Sequence, residues 1–176
     1  MRARGPISTP LLLANFASFQ VGWFACVLGA SRGWDWAGPI AVLVLAGAWL
    51  LVAPRPRALA LVTVLAGIVG LAWDSALALL GLIRYRPAPW SPLAPPWILA
   101  LWVLFATTLH LSLRWLRGRR WQASLLGALA APLAYLGGAR LGALQLPQLW
   151  PALLAQGAGW ALILPLLVEA AGRSDA

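Results

Sequence analysis

The chain reads as an all-α membrane protein: a single integral domain over residues 1–176, built as a bundle of six transmembrane helices with both termini on the cytoplasmic side. Three observations predict this. Hydrophobic residues fill 62% of the 176 positions and charged residues only 10%, where a soluble domain carries roughly a quarter charged; mean hydropathy is +0.83. Six apolar stretches follow one another, most near the length of about 20 residues that a helix needs to cross roughly 30 Å of hydrocarbon. The net charge of +9 comes from 13 arginines and no lysine, and those arginines gather at the ends of the apolar stretches. In a soluble chain such an excess would point to nucleic acid. Here membrane topology accounts for it, so the expected partner is the lipid bilayer and no nucleic-acid partner is expected.

The first stretch, Leu11 to Ala30, continues without a small-residue cleavage motif and reads as an uncleaved first helix rather than a signal peptide. Arg32, Gly33, Trp34, Asp35 and Trp36 form the loop after it. Ala37 to Ala53 is short but wholly apolar, and Pro54, Arg55, Pro56 and Arg57 stop it. Ala58 to Ile83 is the third span. Arg84 to Pro96 holds five prolines and Trp90, which predicts an irregular interfacial loop. Trp97 to Leu113 is the fourth span and runs into the basic turn of Arg114, Arg117, Arg119 and Arg120. Trp121 to Leu144 is the fifth, with Pro132 as an expected kink. Trp150 to Val168 is the sixth, followed by a short polar tail.

The arginines orient the bundle. With the N-terminus inside, nine lie on the cytoplasmic side (Arg2, Arg4, Arg55, Arg57, Arg114, Arg117, Arg119, Arg120 and Arg173). Four lie opposite: Arg32, Arg84, Arg86 and Arg140. That asymmetry predicts N-in and C-in. Trp34, Trp36, Trp90, Trp97, Trp121 and Trp150 fall at span ends, where interfacial indoles belong.

Spacing predicts which faces turn inward. Thr63, Gly67, Gly70, Asp74, Leu77 and Gly81 make one helical stripe, small except at Leu77, and small residues mark close helix contacts in membranes. The first span has Asn15, Ser18, Gly22, Ala25 and Gly29; Gln20 falls on another face. The fifth has Ala128, Ala131, Tyr135, Gly138 and Gly142, whose Gly-x-x-x-Gly match predicts tight packing.

Asp74 is the one acidic residue well inside an apolar stretch. A carboxylate near the bilayer centre costs about 2.5–3.5 kcal/mol on insertion scales, so it is kept for a partner or a task. The task would be proton or cation coupling; the partner would make it a structural lock, which is the favoured reading. From the helical rise, Asp74 sits toward the outer side and His110 toward the inner, roughly 12 Å apart along the membrane normal. The candidate polar site therefore splits into two layers: Asp74, Tyr135 and Arg140 outside, Asn15 and His110 inside, with Thr107 and Thr108 beside His110 and Gln20 as a further amide. Arg140, the basic residue within the fifth stretch, is the expected partner of Asp74, with Tyr135 as the alternative. Cys26 reads as a small packing residue. There is no metal-ligand spacing, phosphate loop or nucleophile elbow, so no metal and no cofactor are expected.

Several segments together carry a family likeness. They are Asn15 with Phe19-Gln20-Val21-Gly22-Trp23-Phe24, Cys26-Val27-Leu28-Gly29 and Asp74-Ser75. Pro96-Trp97, Leu101 through His110, Ser112-Leu113 with Trp115-Leu116, and Gly127-Ala128 through Ala143 complete the set. The chain resembles the bacterial inner-membrane proteins catalogued as domain of unknown function 2878, over nearly its whole length. The resemblance implies residence in the inner membrane and, because such proteins tend to be encoded near fatty-acid-modifying enzymes, a link to lipid metabolism with lipid-modifying enzymes as partners. It also marks Thr107, Thr108 and His110 as a shared site. Two functions fit: a non-catalytic binder, transporter-like or accessory protein, which is preferred, and a membrane enzyme acting on lipid or fatty-acyl substrates through His110 and Asp74.

Overall fold

The computed structural model describes residues 8–86 and 88–174; Arg2, Arg4 and Asp175 lie outside them. Six helices occupy the six apolar stretches: α1 (Thr9–Ser31), α2 (Ala37–Val52), α3 (Pro56–Leu79), α4 (Pro96–His110), α5 (Arg120–Arg140) and α6 (Leu149–Ser174). Pro10, Pro56 and Pro96 stand in the first turns of α1, α3 and α4, where a missing N–H costs no helical bond and the fixed φ suits the start. Three helices, α1, α3 and α6, are long and apolar enough to cross a membrane; α2 and α4 are apolar but shorter.

The helices run alternately up and down. At one end, the chain following α3 pairs with the chain following α5 in a two-stranded antiparallel ribbon, β1 (Arg84–Tyr85) with β2 (Leu144–Gln145). This is the ribbon end. At the other, Arg120 at the start of α5 meets Glu169 near the close of α6 at 2.8 Å, and the 3-10 turn Arg114–Leu116 lies between α4 and α5. This is the arginine end.

The ribbon corrects the sequence reading. The third and fifth stretches were expected to remain helical to Ile83 and Leu144, yet both stop early in the same way. Gly81 and Gly142 adopt φ of 70° and 86°, a left-handed conformation that side chains with a β-carbon adopt at a cost. At α3, Leu82 N–H reaches the Leu77 carbonyl and Gly81 N–H the Ala78 carbonyl; at α5, Ala143 N–H reaches Gly138 and Gly142 N–H reaches Ala139. Both are Schellman caps, and each hands the chain directly to a strand. Gly81 and Gly142 thus leave the helical stripes assigned to them, and Gly138 with Gly142 is not a helix-contact pair. The fourth stretch ends at His110 rather than Leu113, because Leu111 and Leu113 both turn their N–H groups back to the Thr108 carbonyl.

Helix α4 is the centre of the bundle, packed against α1, α2, α3 and α6, with Trp97, Trp102, Leu104, Ala106 and Leu109 buried. Glycines admit its large side chains. A β-carbon at Gly70 would overlap the Trp102 ring, and one at Gly22 would overlap Leu104. Gly67, by contrast, has nothing near it. The buried face of α3 is Leu59, Val62, Ala66, Gly70, Asp74 and Leu77, so Thr63 and Gly67 lie at its edge rather than on it. Trp97 also departs from expectation. It is buried, donates to the Arg86 carbonyl at 2.8 Å and packs edge-on against Tyr85, so it anchors the loop instead of facing an interface. Trp34, Trp36, Trp121 and Trp150 are exposed at helix ends.

Candidate functional site

The Asp74 carboxylate is fully buried near the ribbon end. Residues Gly70, Asp74 and Leu77 share one face of α3, and the glycine lets α4 approach until Trp102 stands beside the carboxylate. The indole nitrogen donates to Oδ2 at 2.6 Å. Oδ1 takes two hydroxyls: Tyr85 from β1 at 2.5 Å and Tyr135 from α5. One carboxylate therefore ties together α3, α4, α5 and the ribbon. The two Schellman caps make this possible, since they turn the chain so that β1 carries Tyr85 back over the end of the bundle.

The donors are all neutral. An indole N–H can only donate, so Oδ2 is an acceptor. Burial first, and then the carboxylate facing it, hold the Tyr85 hydroxyl well above its ordinary pKa, which keeps its proton in place for donation. Arg140, the expected partner, is exposed at the last residue of α5 and makes no ion pair with Asp74. Three hydrogen bonds to a carboxylate supply what the cation was expected to supply, without the desolvation of a second charge. The alternative partner, Tyr135, does bond.

Toward the middle of the bundle the cluster is sealed by aromatics. Trp102 stacks on Trp160 with ring centroids 4.7 Å apart and planes at 22°, and Phe105 meets Trp160 edge-on at 5.3 Å. Beside it, the fully buried Gln156 of α6 accepts from Trp73 Nε1 at 3.1 Å. Its amide nitrogen is buried and meets no partner in hydrogen-bond geometry.

The second cluster lies toward the arginine end. Asn15, fully buried on α1, donates through Nδ2 to Thr107 Oγ1 at 3.1 Å. Its Oδ1 accepts from Ser112 Oγ at 2.7 Å and from the Ser112 N–H at 3.3 Å. The amide thus holds the chain where it leaves α4 and gives the Ser112 N–H an acceptor. Thr107 donates onward to the Leu104 carbonyl at 2.7 Å, and Thr108 to the Phe105 carbonyl at 2.6 Å. Ser18, one turn from Asn15, accepts from Trp49 of α2 at 2.8 Å.

The candidates of the sequence reading therefore separate. Asp74 with Tyr135, and Asn15 with Thr107, are brought together. Thr108 bonds within its own helix, and Gln20 is exposed on the far face of α1. His110 is half-buried at the last residue of α4, eight residues beyond Trp102 and so roughly 12 Å along the helix from the Asp74 cluster. Sequence reasoning missed Tyr85, Trp102, Ser112 and Gln156. One signal was present: the chain has only two tyrosines, and both donate to Asp74, the one fully buried carboxylate among the described residues. Among the described residues no group of three or more His, Cys, Asp and Glu is placed to hold a metal ion.

Fold and clusters define a helical bundle with membrane-like helices, cross-linked by two separate sets of buried hydrogen bonds. The chain belongs to the family described as "Protein of unknown function (DUF2878)", whose model matches residues 12–166. No curated protein and no solved structure matches it.

Proposed function

We propose that the protein is a six-pass protein of the bacterial inner membrane, both termini cytoplasmic, which serves lipid metabolism as a non-catalytic binder or accessory. The observation that carries the non-catalytic reading is the self-containment of both clusters. An enzyme acting through His110 and Asp74 needs the two to converge on one cavity. Instead, both carboxylate oxygens are occupied by side chains of the bundle, Trp102, Trp160 and Phe105 lie on one side of the carboxylate, and His110 belongs to the other end. Neither residue lines the cleft at the arginine end or the one at the ribbon end.

The membrane reading rests on the outer surface. Leu43, Leu51, Leu61, Leu133, Leu154 and Leu162 are each more than 60% exposed, an apolar area that water would penalise and acyl chains would cover. The arginine asymmetry sets the orientation, and the family likeness supplies the link to lipid chemistry. Deleting the gene and profiling membrane lipids tests the function. A shift in one lipid class, restored by the wild type and equally by His110→Ala, is the expected result; failure of His110→Ala to restore it overturns the non-catalytic reading. Reporter fusions at Pro89 and at the C-terminus are expected on opposite sides of the membrane, and the same side for both overturns the topology.

A further inference from the structure

The arginine end contains a cleft that neither polar cluster uses. It encloses about 340 Å³ between the loop residues Leu116, Arg117 and Gly118, the start of α5 and the last turns of α6. Its floor is apolar, with Leu116, Ala123 and Val168 buried, and its rim carries Arg117, Arg120 and Arg173 against the single carboxylate of Glu169. The carboxylate does not cancel the rim. Arg120 and Arg173 each direct one nitrogen, at 2.8 and 2.9 Å, to the same Oε1, and both guanidinium side chains stay more than three-quarters exposed. Glu169 therefore holds two guanidinium groups side by side and leaves their other N–H donors facing outward. A guanidinium fork matches phosphate geometry. The first turn of α5 opens on the same cleft with no side-chain cap, so its amides and the positive end of the helix dipole favour an anion there.

Below the rim the surface turns apolar. Trp121, Leu125 and Leu129 of α5 and Leu162 and Leu166 of α6 are exposed, on the two helices that make the most extensive pairing in the bundle. A ligand with a phosphate at one end and long hydrocarbon at the other fits both halves; a free phosphate uses only the first.

We propose that this cleft is a binding site for an anionic phospholipid, whose headgroup phosphate is held by Arg120 and Arg173 and whose acyl chains lie along α5 and α6. The site rests on the membrane reading above, because it needs the cleft at headgroup depth, and it specifies the lipid class that a lipid-linked binder would hold.

The full-length protein in nanodiscs tests it, since both faces are accessible there and the outcome does not depend on which way the protein inserts in cells. Binding of a fluorescent cardiolipin is measured in a phosphatidylcholine background. The wild type is expected to enrich cardiolipin over labelled phosphatidylcholine. Arg120→Gln with Arg173→Gln is expected to weaken it roughly thirtyfold, at about 1 kcal/mol per basic residue. Arg84→Gln with Arg86→Gln at the ribbon end is expected to change nothing. Glu169→Gln keeps an Oε1 that accepts from both guanidinium groups while removing the repelling negative charge, so it is expected to bind at least as well, and it keeps the test decisive if the double arginine variant fails to fold. Equal loss from the ribbon-end pair would mean non-specific surface charge. Full displacement by millimolar inorganic phosphate would mean a phosphate site. Weaker binding by Glu169→Gln would mean that the arginines do not hold the headgroup. Each of these overturns the proposal.

Discussion

The two polar clusters solve the same problem with different chemistry. At the ribbon end a carboxylate is satisfied by three neutral donors drawn from α4, α5 and β1. Toward the arginine end a neutral amide joins α1 to the chain leaving α4. The first is a hub: removing its centre strands three donors, two of them on residues at most 9% exposed. The second is a cap, and removing it strands two donors, both on Ser112, at a helix end where rearrangement is easier. The difference teaches that a buried carboxyl group in such a bundle need not have a counter-charge, provided that enough neutral partners from separate elements converge on it.

Substitutions can break or sharpen this contrast, read as midpoints of unfolding in detergent. The largest loss is expected at Gly70→Leu, which would drive a side chain into the Trp102 ring and separate α3 from α4. No folded protein should be recovered, while Gly67→Leu, at an open position, should fold. Similar behaviour of the two would break the account of the α3–α4 contact. Asp74→Ala comes next, at about 3–5 kcal/mol, because three donors lose their acceptor together. Asn15→Ala is expected to cost about 1–3 kcal/mol; a loss as large as that of Asp74→Ala would erase the distinction between hub and cap. The strand hand-over gives a smaller effect. Gly81→Ala and Gly142→Ala should each cost about 1–2 kcal/mol through the left-handed backbone alone, and a loss much larger than this would mean that the ribbon carries more than Tyr85.

Helix number and order were legible in the sequence, because hydrophobic length is set by local composition. The inward placement of Asp74, Gly70, Gly22 and Asn15 was legible from small-residue spacing. Where the third and fifth helices stop was not. An unbroken apolar run is compatible with helix to its end, and the stop is made by one glycine in each run taking a positive φ. That early stop is also why the Asp74 site was read incompletely. Tyr85 reaches the carboxylate only after α3 has been capped and the chain has paired with β2, a contact that no periodicity along one helix can show. The pairing of Asp74 with Arg140 was inferred from depth. Depth was a fair guide to Tyr135, but it cannot register that Arg140 sits at the final residue of α5 and is exposed.

The central claim is that Asp74 is held by neutral donors and not by a cation, and a pair of double-mutant cycles tests it most directly. In the first, Asp74→Asn is combined with Tyr135→Phe; in the second, with Arg140→Gln. Residues in direct contact show coupling of about 0.5–3 kcal/mol, and distant ones add within about 0.3–0.5 kcal/mol. The structure predicts clear coupling with Tyr135, and for Arg140 a near-neutral single variant whose effect simply adds. Coupling of Asp74 to Arg140 with additivity toward Tyr135 would contradict it.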